Sequence, residues 1–237
     1  MTTAHIAGLA ALRASTSALL LGLEAEKWTD EDVRRPAVLP GWTRGHVLTH
    51  IARNADGIAA TVSGALRGEI VRRYPDGTEG RNRAIDEGAT RNATELIADV
   101  RESAERLDRV FAAMADADGW GRPAEDRPAG DYAINRWREV EVHRIDLAGT
   151  YTPSDWPPPF VSYLVPEVLD RIADGDLRVE VAADRSVTTD LPGRVWVIGA
   201  GSTLVAGPDW AVGAWAIGRA AAIGSELTAA PQLPPWL

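Results

Sequence analysis

Four prolines in the stretch YTPSDWPPPF, residues 151–160, divide the chain into two parts that cannot share one helical architecture. Proline lacks a backbone donor and its ring blocks the preceding turn, so no helix runs through this segment and no central strand includes it. A domain boundary is placed there, giving residues 1–152 and a smaller domain of residues 153–237. With 237 residues at 45% hydrophobic content, both parts have enough apolar side chains to build a core.

Before the boundary the apolar spacing is helical. From His5 to Lys27, residues Ile6, Leu9, Leu12, Leu19, Leu20 and Leu23 recur at helical intervals. RRPAVLPGWT reads as a loop that ends before Thr43 caps a second helix, Arg44 to about Leu66. GRNRAIDEGATRNATELIADV predicts a short helical turn, a break at Gly88, and Asn92 or Thr94 as the cap of a long helix. The stripe of that helix is Leu96, Ile97, Val100, Leu107, Val110 and Phe111. A Gly/Pro/Asp-rich loop at 119–131 precedes a fourth helix, and four amphipathic helices predict an antiparallel bundle.

After the boundary come a helix at about 160–174 and three alternating stretches, LRVEVAA, RVWVIGA and STLVAG, that read as strands joined by turns. Gly207-Pro208 ends the last strand and starts a helix expected to continue through Arg219. The fold class is α+β overall: an N-terminal four-helix bundle followed by a smaller α+β domain with an antiparallel sheet.

A net charge of −9 and the lack of a basic cluster argue against nucleic acid or an anionic membrane surface as partner. The chain has no cysteine, which removes thiolate metal sites and cysteine nucleophiles and leaves His, Glu and Asp as metal ligands. The first residues carry no charged segment followed by a cleavage site, and the apolar run WAVGAWAIGRAAAI at 210–223 is too short to span a bilayer and contains Arg219. A cytoplasmic protein is expected.

Only four histidines are present, and their placement is informative. EVEVHRIDLAG sets Glu139 and His143 four residues apart, on one face of a helix. In GHVLTHIARNAD, His46 and His50 have the same spacing. One histidine of the second helix with Glu139 and His143 would make a three-ligand site with an open fourth position, suited to zinc and tolerated by nickel, iron or manganese. The competing explanation is a Glu-x-x-x-His pair on a solvated helix, and His5 is given no role. Glu141 points about 200° around the helix from Glu139. Asp146, one turn past His143, either orients that imidazole or serves as a cap or surface residue. Trp42, Trp137, Trp196, Trp210 and Trp215 are expected to pack core or interface, with Trp42 able to wall the site. The glycines of GAGSTLVAG lack the lysine and spacing of a phosphate loop.

GWTRGHVLTHIARNAD, with a histidine seven residues after Thr43, and EVEVHRIDL resemble the signatures of DinB-like metal-binding four-helix bundles. End to end, including Gly218-Arg219 and the ending PQLPPWL, the chain resembles the mycothiol-dependent maleylpyruvate isomerases. The resemblance implies zinc ligands at His50, Glu139 and His143, with His46 outside the set, and a catalytic Arg219 reaching toward the metal to meet a substrate carboxylate. Arg81, matching an Arg-Asn of the isomerases, is a second such cation. A structural ion pair is the alternative for Arg219, and a solvated helix-start arginine for Arg81. The implied partners are a small carboxylate substrate and a low-molecular-weight thiol, mycothiol, which would convert maleylpyruvate to fumarylpyruvate by reversible thiolate addition. Glycine-rich sequence follows the arginine in the isomerases, whereas this chain reads GRAAAIG. The alternatives are a mycothiol S-transferase acting on another electrophile and a non-catalytic metal- or ligand-binding module.

Overall fold

The computed structural model describes residues 3–172, 175–182 and 189–233, with backbone alone for residues 3–7. The side chains of His5 and Ile6, and the last four residues of PQLPPWL, lie outside the described residues. The chain forms two compact units, Met1–Ala148 and Gly149–Leu237.

The first unit contains α1 (Thr3–Glu26), α2 (Asp30–Arg34), α3 (Arg44–Arg67), α4 (Gly77–Gly88), α5 (Ala93–Asp116) and α6 (Asp131–Asp146). Their starts follow local chemistry. Asn92 caps α5, its side chain accepting from the Glu95 N–H at 2.9 Å while the Glu95 carboxylate accepts from the Asn92 N–H at 3.2 Å. At α3 the imidazole of His46 takes the reciprocal part, Nδ1 accepting from the Thr43 N–H at 3.2 Å. Two elements exceed the expectation. Thr29 and Asp32 form a capping box that starts α2, and the short turn expected near Arg81 is the full helix α4.

Helix directions differ from the alternating bundle expected. Along α3 and α5, Arg53 pairs with Asp99 at 2.5 Å and Asp56 with Arg106 at 2.8 Å, so the two run parallel. Along α1 and α6, Ser15 bonds Trp137 and Glu141, and Gly22 lies beside Arg144, while nearer the start Gly8 lies beside Ile134. That pair is also parallel. By contrast His50 meets Glu139 and His143 while Asn54 meets Arg136, which makes α3 and α6 antiparallel. The cause is the connection 68–92, in which α4 carries the chain back along the bundle before α5 begins.

The core between these helices includes Leu48, Ile51, Ile58, Leu96, Val100, Met114 and Val140, each at most 1% exposed. Gly45 permits close helix packing: a Cβ there would stand 2.7 Å from the Ala89 carbonyl oxygen.

The second unit contains α7 (Pro158–Leu169), β1 (Leu177–Val181), β2 (Val195–Ile198), β3 (Thr203–Gly207) and α8 (Asp209–Ala216). The sheet order is β2-β1-β3, and it is mixed rather than wholly antiparallel: β1 pairs antiparallel with β2 and parallel with β3. The reason is a short arch from β2 to β3 that passes across the start of β1 and leaves β1 between them. Asp176 receives the arch, its carbonyl accepting from the Thr203 N–H and its carboxylate from the Ser202 N–H, both at 3.0 Å. Gly199 makes the crossing possible, with φ +63° and no room for a Cβ, which would come 2.3 Å from the Gly175 oxygen.

α8 ends before Arg219, so the expectation of an arginine inside an apolar helix is corrected. Gly218 adopts φ +78°, its N–H donates to the Trp215 carbonyl at 2.9 Å, and the Arg219 N–H donates to the Ala214 carbonyl at 2.8 Å. This Schellman closure is what a glycine just past the last helical residue produces. No helix among the described residues is long and apolar enough to cross a membrane.

Candidate metal centre

The antiparallel crossing of α3 and α6 sets His50 against the Glu139/His143 face. His50 Nε2 lies 3.0 Å from both Glu139 Oε2 and His143 Nε2, and the latter two are 3.4 Å apart. A tetrahedral ion with bonds of about 2.1 Å separates its ligand atoms by about 3.4 Å. Two imidazole nitrogens and one carboxylate oxygen at these separations therefore fit a divalent cation, and the three form the candidate metal group found among the described residues.

Both candidate histidine ligands are oriented by neighbours. His143 Nδ1 lies 2.8 Å from the buried Asp146 carboxylate, which favours the proton on Nδ1 and leaves the Nε2 lone pair facing His50. Asp146 thus takes the orienting place. His50 Nδ1 faces Arg81 Nη2 at 3.1 Å, which brings Arg81 on α4 to the edge of the site. Trp42 presents its ring edge-on to His50, centroids 5.7 Å apart. Glu141 turns away, bonded to Ser15 on α1, and His46 is occupied at the α3 cap.

The electrostatics of the three candidate ligands suit a cation. Burial and the neighbouring His143 push His50 down to about 4, so it is neutral in ordinary conditions. Burial alone would raise the Glu139 carboxyl, but hydrogen bonds with His143 and His50 hold it well below the usual carboxylate range. For His143 burial acts downward and is outweighed by hydrogen bonds to Asp146 and Glu139, which raise it. A proton on His143 competes with a cation for Nε2. Affinity for a cation at this candidate site is therefore expected to be full above the raised pKa of His143 and to decline below it.

A family model described as the mycothiol maleylpyruvate isomerase N-terminal domain matches residues 9–148. The chain belongs to that family. Two solved structures, a mycothiol-dependent maleylpyruvate isomerase and a histidine-to-alanine mutant of that enzyme, are each 26% identical to it. Each comparison covers 100% of both chains, with TM-scores of 0.82 and 0.81. A comparison with curated proteins finds no match.

Within this family member, the stretch matched by the model contains every candidate metal ligand and Arg81. Arg219 belongs to the second unit. It is buried at 8% exposure, and its Nη1 donates to the Ile217 carbonyl at 2.9 Å. Sequence reasoning passed over Arg136, one turn before Glu139 on the same helix, although that spacing was the available signal. Its Nη1 donates to the Ile51 carbonyl and to Asn54 Oδ1, both at 2.8 Å.

Asp146→Asn should leave helix content unchanged and weaken metal binding about 10- to 100-fold. A chelator competition assay against pH measures both effects. The decline in affinity should move to lower pH, because the carboxylate that raises His143 is gone; an unchanged affinity would give Asp146 a purely structural part.

Proposed function

We propose that this chain is a zinc-dependent, mycothiol-using cis-trans isomerase that converts maleylpyruvate to fumarylpyruvate. The observation that carries this reading is the convergence of His50, Glu139 and His143 in a bundle of this family, with three protein ligands and so room for a fourth. The mixed imidazole and carboxylate set suits zinc. Bound there, the ion supplies a Lewis acid that lowers the pKa of a thiol at neutral pH.

The chain's own residues prepare that chemistry. Asp146 holds the His143 proton on Nδ1. When His50 ligates through Nε2 its own proton belongs on Nδ1, and Arg81, which can only donate, then turns to another acceptor. We assign that acceptor to a substrate carboxylate. Arg219 is assigned to carboxylate recognition on the strength of the family resemblance, as the second catalytic arginine. The cytoplasmic placement expected from the sequence belongs with this reading.

In the reaction, the thiolate adds to the cis double bond, forming a C–S bond and placing the electron pair on the conjugated keto group. Rotation about the new single bond and elimination break the C–S bond and return the thiolate. The thiol is therefore used without being consumed.

The test follows maleylpyruvate absorbance on zinc-loaded protein with and without mycothiol, with mass analysis of the thiol. Thiol-dependent loss of substrate and unchanged thiol are expected. Thiol found in the product would replace the isomerase by an S-transferase, and no turnover with any thiol would leave a binding module. Arg219→Ala should keep zinc and raise KM about tenfold or more, the loss of a charge-assisted carboxylate contact.

A further inference from the structure

Opposite the α3–α6 crossing, α1 and α5 are bridged by the ion pairs Arg13–Asp108 and Arg101–Glu24. Between the two helices the bundle opens into a cavity of about 480 Å³. Its walls include Leu12, Leu20, Leu107 and Phe111, and it reaches Arg136 of α6. None of the three candidate metal ligands lines it.

Arg136 is only 2% exposed. Its Nη1 meets two neutral oxygens, and among the described residues its Nε and Nη2 make no hydrogen bond and no carboxylate lies within 4.0 Å of it. Burial holds its pKa down to about 10, which still leaves it charged at neutral pH. Glu139 and Asp56 act on it only through space; a guanidinium buried with no carboxylate in contact is an unfavourable arrangement, and a carboxylate is the group its free edge fits.

We propose that this cavity binds a small monocarboxylic acid with an apolar, ring-sized body, whose carboxylate meets Arg136. The volume falls in the range of small-molecule sites, and the walls suit a hydrocarbon or aryl body. The charged residues lining the cavity are Arg13, Arg109, Arg136, Glu105 and Asp108, a net single positive charge that one carboxylate balances and a multiply charged anion exceeds. The site is separate from the metal centre and does not depend on the isomerase reading.

The test is a titration of the full, zinc-loaded chain with 4-fluorobenzoate followed by 19F NMR. Saturable binding at about 1 mM or tighter is expected for a ligand of this size. 4-Fluorobenzyl alcohol should bind at least about tenfold more weakly, because it lacks the charge. Ala104→Trp fills the cavity from α5 without touching a metal ligand, so it should abolish binding while keeping zinc content and melting temperature. Arg136→Met should weaken the acid and not the alcohol; if that variant fails to fold, the Ala104→Trp and alcohol comparisons decide. Absence of saturable binding, equal binding of acid and alcohol, or full binding by a folded Ala104→Trp would each overturn the proposal.

Discussion

Replacing His50 or His143 with alanine is expected to strip the protein of its metal while the bundle stays folded. The three candidate ligand atoms lie 3.0–3.4 Å apart, so each is one corner of a small triangle and its loss removes two of the three edges. Spreading the roughly 10–16 kcal/mol of a four-ligand zinc site evenly gives about 3 kcal/mol per ligand, a loss of more than about a hundredfold in affinity. Metal analysis after gel filtration should fall from near one ion per chain to a trace in either variant. Circular dichroism should change little, because the truncations leave the apolar contacts of α3 and α6 in place. Full metal content in both variants would remove these residues from the ligand set.

Phe160→Ala is expected to cost about 3–5 kcal/mol, the range for deleting a buried phenyl ring. Phe160 is 0% exposed on α7 and packs edge-on to Trp156, with centroids 5.4 Å apart at 70°. That loss is a large share of the 5–15 kcal/mol by which ordinary domains are stable. Calorimetry should show a transition at lower temperature, and near-ultraviolet dichroism the loss of tryptophan signal. A cost below about 1 kcal/mol would mean that the α7–α8 core closes over the gap. Since His50, Glu139 and His143 all belong to the first unit, metal content is the control.

Particular residues show where local reading sufficed. Glu139 and His143 share a face because they are four residues apart on a helix, and no tertiary information is needed for that. Asn92, one of the two caps expected beside Thr94, starts α5 because a cap is a contact between near neighbours, and Gly218 ended α8 for the same reason. The Gly218 signal was present in the sequence, yet the helix was carried on to Arg219 by the apolar run around it. Asp146 could not be decided from its spacing. A carboxylate at that spacing is equally able to face water, and only burial beside His143 fixes its part.

The sequence by itself determined the four long helices of the first unit, the division at the prolines as an expectation, and the residue types available to hold a metal. These follow from interactions that act within a turn or two of one chain segment. Tertiary structure decided which helix faces meet. The return of the chain through 68–92 makes α3 parallel to α5 and antiparallel to α6, and this crossing selects His50 and leaves His46 at the cap. The arch over Asp176 makes the sheet mixed, and α1 meeting α5 leaves Arg136 at the end of a cavity. Such pairings join residues distant in the chain, and the free energy that chooses among them comes from burial and packing of whole faces, which no local pattern contains.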